Sequence, residues 1–209
     1  TETDLEERAI TNGEPWGFAR LLMVGDNLMS SLIRFLRAPT WERRKMIVSR
    51  TLGGYAPLGL LNWGTWYVFL GFHLIDFVAS LAGAPITWSA TTLVVMDGVT
   101  FAVVVLVGPN VLRTFCLHFV SSNMHYYGDV ELGNVIQQTQ VLNPWWLWPL
   151  QAFCCNFGST HGIHHFVVKE PFYIRQLTAP VAHQVMREMG VRFNDFGTFA
   201  RANRWRARE

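Results

Sequence analysis

The chain contains an apolar run at residues 58–81 that reads LGLLNWGTWYVFLGFHLIDFVASL. A second apolar run, at residues 86–107, reads ITWSATTLVVMDGVTFAVVVLV. Each run carries one formal charge, Asp76 or Asp97, and each reaches the length of about 20 residues that a helix needs to cross a bilayer. Soluble helices of this length normally show a polar stripe, which disfavours the alternative of two buried helices in a soluble core. The sequence therefore predicts two transmembrane helices.

The composition agrees with a membrane protein. Half of the 209 residues are hydrophobic and 15% are charged, against about 25% charged residues in an ordinary soluble domain. This composition excludes a disordered chain, and the net charge of +2 is too small for a protein that binds nucleic acid by neutralising phosphates. The three cysteines do not form a disulfide framework and indicate reduced thiols on a cytoplasmic face.

The segment between the two runs, residues 82–85, is an uncharged turn, so we expect an all-α fold built on a helical hairpin. Several Lys and Arg residues precede the first run and Arg113 follows the second, whereas the turn has none. The positive-inside rule then places both ends in the cytoplasm and the turn outside. We divide the chain into an amphipathic cytoplasmic or interfacial segment (1–55), a transmembrane hairpin (56–112) and a cytoplasmic histidine-bearing region with a tail (113–209).

The hairpin also predicts a contact inside the membrane. With the turn between residues 84 and 85, His73 and Asp97 lie at nearly the same depth. An unpaired charge near the bilayer centre costs about 2.5–3.5 kcal/mol on insertion scales, so we expect these two side chains to form a hydrogen bond. The alternatives are that Asp97 faces another span, or that Asp76 takes His73 within its own helix.

Three segments outside the hairpin have local signals. Residues 17–50 show apolar side chains at helical spacing and predict amphipathic helices, which either lie against the membrane or pack on the protein itself. Residues 141–150 hold three tryptophans and two prolines and favour an interfacial segment over a core loop. Pro180 predicts the start of a helix that ends at Gly190.

Histidines concentrate after the second apolar run, where five of the seven lie within residues 118–165. His161, His164 and His165 form an HxxHH cluster, and positions i, i+3 and i+4 share one face of a helix. Three structural histidines would each need a separate buried partner, whereas neutral imidazoles suit zinc, copper, iron or nickel. The cluster therefore predicts a metal site.

Two further histidines, His118 and His125, lie two helical turns apart on the segment that leaves the second run. We predict that His125 is a metal ligand, and that His118 is either a ligand or a partner of a carboxylate beside the site. Asp129 follows one turn later and could orient the ring of His125. Adjacent Cys154 and Cys155 diverge on a helix, so we interpret them as apolar packing. The chain has no GxSxG, Walker A or GxGxxG motif and no zinc-ribbon spacing.

A hairpin followed by an HxxHH cluster resembles the membrane-bound di-iron fatty acid desaturase and hydroxylase superfamily. His161, His164 and His165 match the late histidine box of that family. Residues 125–128, which read HYYG, resemble the His-x-Tyr-Gly with which acyl-CoA desaturases supply an additional ligand. The resemblance covers most of this chain.

The sequence departs from the family in two places. An Asn lies four residues before that additional His in the family, whereas Ser121 holds the position here and Asn123 lies two residues before. The earlier HxxxH and HxxHH boxes do not occur before residue 58. We therefore expect a longer protein whose preceding part supplies two more spans and about five histidines, and we expect no O2-dependent turnover from the 209 residues alone.

The resemblance implies a multi-pass oxidoreductase with two Fe ions that uses O2 on C–H bonds of an acyl chain or related lipid. It implies an electron donor such as a ferredoxin, rubredoxin or cytochrome. Hydroxylation, ketolation and oxidative decarboxylation use the same scaffold, so desaturation is one chemistry among several. A non-enzymatic membrane metal-binding subunit is the alternative from a different class.

Overall fold

The computed structural model describes residues 17–127, 129–131 and 133–206. Residues 1–16 of the predicted amphipathic segment, Gly128 of the HYYG sequence and the last three residues of the tail lie outside this part. The described part is all-α, as predicted, and two isolated bridges are its only β pairings. Its helices are α1 (Phe18–Gly25), α2 (Asn27–Arg37), α3 (Trp41–Tyr55), α4 (Leu58–Leu81), α5 (Ala90–Ala102), α6 (Gly108–Met124), α7 (Val135–Gln138), α8 (Trp148–Phe153), α9 (Phe157–Phe166) and α10 (Phe172–Glu188).

The described residues form two compact units. The histidine-bearing unit comprises the residues up to Arg44 and those from Arg113 on, and it contains every predicted metal ligand. The hairpin unit comprises residues 45–112 and contains both apolar runs.

The two apolar runs form the helices of the hairpin unit. Helix α4 coincides with the first run, and its 24 residues make it about 36 Å long at 1.5 Å per residue. Helix α5 begins later than the second run because Ser89 caps it, accepting a hydrogen bond from the backbone N–H of Thr92 at 3.1 Å. A π-helical turn at Val103–Val107 joins α5 to α6, giving one apolar helix over Ala90–Met124. By length and composition, α4 and this long helix could each cross a membrane.

The surface of the hairpin unit is apolar. Leu81, Val94 and Phe101 are each more than 70% exposed, and α4 buries few of its side chains within the chain. Contiguous apolar surface of this kind is rare on soluble monomers and marks contact with lipid or with another chain. The exposure therefore agrees with the predicted membrane spans.

The predicted hydrogen bond between His73 and Asp97 is wrong. The ring of His73 packs against Phe69 and Phe72, and the carboxylate of Asp97 is exposed. A hydrogen bond instead links α4 to the segment that precedes α5, where the indole Nε1 of Trp88 donates to Asp76 at 2.9 Å. Trp88 lies near the turn, so it meets the carboxylate that is closer to the turn.

The predicted helices of residues 17–50 are present as α1, α2 and most of α3. Asp26 separates the first two because its carboxylate caps α2, accepting hydrogen bonds from the backbone N–H groups of Leu28 and Met29 at 2.8 and 2.9 Å. Helix α1 buries Met23 and Val24 against its own protein and leaves Phe18 exposed.

The helix predicted from Pro180 to Gly190 begins eight residues earlier, at Phe172, so its predicted start is wrong. Pro171 precedes the first turn, where a missing N–H costs nothing, and Pro180 lies inside the helix. The predicted end is confirmed. Gly190 adopts a left-handed φ of 86°, and the N–H of Val191 closes the helix by donating to the carbonyl of Met186 at 2.9 Å.

The tryptophan-rich residues 141–150 fold as a 3-10 turn at Trp145–Leu147 that leads into α8. Trp145 is 85% exposed and Trp148 is 69% exposed, whereas Leu147 between them is buried. This exposure disfavours the core-loop alternative. Their location at a membrane interface stays a prediction.

Candidate metal centre

Two helices bring three histidines together. His125 directly follows α6, and His161 and His165 lie one turn apart on α9. The Nε2 atom of His161 is 2.9 Å from Nε2 of His125 and 3.2 Å from Nε2 of His165. The three ligand atoms lie within 4.8 Å of one another, so the partly buried cluster could hold a metal ion.

The protonation state of His161 and the tautomer of His125 suit a metal. The Nδ1 atom of His125 lies 2.9 Å from the carbonyl oxygen of Ser121, which can only accept a hydrogen bond. In the neutral ring the proton is therefore on Nδ1, and the lone pair of Nε2 faces the cluster. Burial, aided by the neighbouring His125 and His165, lowers the pKa of His161 to about 2 and keeps that ring neutral as well. Neutral imidazoles with converging lone pairs are the form in which histidine binds metals.

The two other predicted ligands lie outside this group. The ring centroid of His164 is 5.8 Å from that of His161, and its Nδ1 atom is buried with no hydrogen-bond partner in the described part of the chain. His118 lies two turns before His125 on α6 and does not belong to the three-histidine group. The prediction that Asp129 orients His125 is wrong, because its carboxylate accepts hydrogen bonds from the backbone N–H groups of Trp205 and Arg206, both at 2.7 Å.

Helix α9 is held in place by a buried glutamine that the sequence did not point to. The side chain of Gln151 donates to the carbonyl of Leu142 at 2.7 Å and accepts from the N–H of Gly158 at 2.9 Å. A Cβ atom on Gly158 would lie 2.2 Å from both the Leu142 oxygen and the amide nitrogen of Gln151. Only glycine therefore lets the first turn of α9 approach this closely, and that turn carries His161 to the cluster.

The residue after His125 is fixed by an ionic network. The hydroxyl of Tyr126 donates to Asp195 at 2.8 Å, and Asp195 also accepts from Arg192 and Arg201. Burial alone disfavours the charged form of Asp195, but the hydrogen bonds from Tyr126 and Arg201 outweigh it and hold its pKa below the ordinary value. Burial and the bond to Asp195 raise the pKa of Tyr126, which stays a neutral donor.

A buried arginine bonds the end of α6, directly before His125. Arg20, on α1, is 1% exposed, and its Nη2 atom donates to the carbonyl of Ser122 at 3.2 Å and to the side-chain oxygens of Asn123 and Asn203 at 3.3 and 2.6 Å. Burial lowers the pKa of Arg20 to about 10, so it stays charged at neutral pH. Sequence reasoning missed this residue, although a lone arginine between the apolar residues of α1 is a signal for a buried, bonded charge.

Comparisons with known protein families, with curated proteins and with solved structures found no match. The candidate site is therefore defined by its own geometry.

Proposed function

We propose that this chain supplies part of the metal centre of a membrane-bound, iron- and O2-dependent oxidoreductase that acts on C–H bonds of an acyl chain or related lipid. The observation that carries the proposal is the meeting of His125, at the end of a long apolar helix, with His161 and His165 of α9. The three imidazoles then lie beside the C-terminal end of a helix that could cross a membrane by length and composition.

His125, His161 and His165 would hold one ion. Iron held by imidazoles supplies the redox chemistry that activates O2. The chain's own residues keep the donors in place. Ser121 holds the proton of His125 on Nδ1, and the ring of Phe157 stacks on His161 with centroids 4.2 Å apart. This stacking fixes the imidazole and shields one side of the site from water.

A second iron would need more donors than these three. Two irons with roughly four to six ligands each take about eight to twelve ligands in all. Within the described part of the chain, His164, whose buried Nδ1 has no hydrogen-bond partner there, and His118 are further histidines that could serve as donors. The remainder would come from another segment or chain, and electrons would come from a ferredoxin, rubredoxin or cytochrome.

The proposed topology places both ends of the chain and the histidines in the cytoplasm, with residues 82–85 outside. Two exposed thiols would test it. Ala84→Cys introduces one in the turn, avoiding Gly83, whose φ of 72° disfavours a side chain. The native Cys155 is exposed, so its interpretation as apolar packing is wrong, and it serves as the internal control. We expect a membrane-impermeant maleimide to label the turn cysteine in intact cells and Cys155 only after lysis. The reverse pattern would contradict the topology.

A same-scaffold hydroxylase or oxidative decarboxylase is equally compatible with these ligands. A non-enzymatic metal-binding subunit is the second candidate, and it is favoured because the donors grouped among the described residues number three, enough for one ion. An open coordination position separates the two classes, because O2 chemistry needs one and a storage or structural site does not.

The test is iron reconstitution of the detergent-solubilised chain under argon, followed by metal analysis and by EPR after addition of nitric oxide as a probe for O2. We expect bound iron, lost in His161→Ala, and the nitrosyl signal of high-spin iron. His183→Gln is the matched control, because His183 is buried and bonds the carbonyl of Ser159 at 2.8 Å outside the cluster. Iron that survives His161→Ala, or iron that binds no nitric oxide, would contradict the proposal.

A further inference from the structure

The helix that carries His125 ends with all four of its last carbonyl groups bonded. A helix end leaves such carbonyls without partners inside the helix. Here the carbonyl of Ser121 bonds the ring of His125, and the carbonyl of Ser122 accepts hydrogen bonds from Arg20 and Asn203. The carbonyl of Asn123 accepts from the side chain of Gln140, and the carbonyl of Met124 accepts from the backbone N–H of the same residue. The direction in which α6 delivers His125 is therefore set by segments distant in sequence.

Asn203 is the partner closest to the ligand. It is fully buried, and its Nδ2 atom donates to the carbonyl of His125 at 2.6 Å and to the carbonyl of Ser122. Its backbone carbonyl accepts from the N–H of Tyr127 at 3.0 Å. The hydrogen bonds of Asn203 therefore hold the backbone at His125 itself and on either side of it, at Ser122 and at Tyr127.

The side-chain amide of Asn203 can do this in one orientation only. Its Nδ2 must face the two carbonyls, so its Oδ1 must face the other way, where Nη2 of Arg20 donates to it at 2.6 Å. A flipped amide would set an oxygen against two carbonyl oxygens and an NH2 group against a guanidinium. The charge of Arg20 therefore selects the orientation, and it also lies at the negative end of the α6 dipole.

We infer that Arg20 and Asn203 are positioning residues for the metal ligand His125. Arg20 orients the amide of Asn203, and the amide holds the His125 backbone so that Nε2 points to His161 and His165. This inference rests on the metal site of the proposed function. The contact between Arg20 and Asn203 links α1, near the start of the described chain, to the C-terminal segment around Asn203 and, through His125, to the metal centre.

The experiment is a Co²⁺ titration of the detergent-solubilised chain, read by the ligand-field absorption of the bound ion, with the thermal midpoint of the metal-free protein measured in parallel. Changing groups that orient metal ligands typically weakens metal binding roughly 10–100-fold. We expect Arg20→Met to fall in this range and to alter the cobalt spectrum, and Arg20→Lys, which keeps a cation at Asn203, to recover most of the affinity. Asn203→Asp keeps a partner for Arg20 but loses the donor, so it should bind cobalt as weakly as Arg20→Met.

Thr198→Val is the matched control. Thr198 is fully buried in the C-terminal segment that also contains Asn203, within a 3-10 turn at Phe196–Phe199, and its hydroxyl donates to the carbonyl of Asp195 at 3.0 Å rather than to residues 122–125. We expect it to lower the thermal midpoint while leaving the cobalt affinity and spectrum unchanged. If Arg20→Met and Asn203→Asp bind cobalt with wild-type affinity and spectrum, the inference is overturned and the metal site stands. If the wild-type chain binds no cobalt, the metal site itself fails.

Discussion

The two units of this chain solve the problem of the polar backbone in opposite ways. The hairpin unit satisfies its backbone within long helices and presents an apolar surface, with side chains such as Phe101 exposed. The histidine-bearing unit is built of shorter helices, and it buries polar side chains such as Arg20, Gln140 and Asn203 to bond the ends of those helices. Apolar length is enough to specify a span, whereas a metal cluster needs polar contacts that fix each ligand.

The largest contrast is expected for metal binding. His161 lies between the other two ligands, so His161→Ala should weaken Co²⁺ or Fe²⁺ binding by more than about 100-fold, beyond the cost of disturbing a supporting residue. His73→Ala, in the hairpin unit, should leave the affinity unchanged. Equal losses in both variants, measured by titration, would show that metal does not bind at this cluster.

The two units should respond differently to the same glycine substitution. Gly158→Ala forces a Cβ atom against a backbone oxygen, and we expect it to cost about 1–3 kcal/mol and to displace α9. Gly98→Ala places its Cβ in open space on α5, so it should change stability by less than about 1 kcal/mol. Thermal unfolding followed by circular dichroism gives both values. A tolerated Gly158→Ala would refute the close approach of α9 to residues 142–151.

Acid should destabilise the metal-free histidine-bearing unit. The pKa of His161 falls from 6.5 to about 2 because the ring is buried beside other imidazoles. Below about pH 6.5 the unfolded chain binds a proton at His161, whereas the folded chain does not. The contribution of His161 to the free energy of unfolding is therefore fully present above that pH and is lost as the pH falls. The slope is up to about 1.4 kcal/mol per pH unit. Thermal midpoints between about pH 7 and 5 should show it, and His161→Asn should flatten it. If the thermal midpoint of that variant depends on pH as strongly as that of the wild-type chain, groups other than His161 cause the effect.

The smallest effect is expected in the hairpin. Trp88→Phe removes the donor to Asp76 but keeps an aromatic ring against Phe72, and it should cost about 1 kcal/mol without changing metal affinity. Trp66→Phe, where the indole stacks on Phe69, is the comparison. If the two variants unfold at the same temperature, the hydrogen bond from Trp88 to Asp76 contributes nothing to stability.

The features that could be predicted are those that depend on local spacing. The apolar run at residues 58–81 predicted α4 because its length alone requires a helix, and the spacing of His161 and His165 placed them on one helical face. The left-handed Gly190 likewise ends α10 as predicted.

The features that were missed depend on contacts between distant segments. His164 shares a helical face with the two ligands, but the approach of α6 decides which of the three imidazoles meet His125. Asp129 was predicted to orient His125 because it is near in sequence, whereas the ring bonds the carbonyl of Ser121 and Asp129 bonds the backbone of Trp205. The residues next to Asn203 in sequence carry no pattern that predicts its hydrogen bonds to the backbone about 80 residues away.

X-ray absorption of the zinc-loaded chain shows directly whether His125, His161 and His165 hold one ion together. Zinc is a redox-inert probe whose bonds to imidazole nitrogen measure about 2.0–2.1 Å, and the multiple scattering of the rings counts them. We expect three imidazoles on zinc in the wild-type chain and two in His165→Ala. Zinc held without imidazoles, or an unchanged count in His165→Ala, would contradict this expectation.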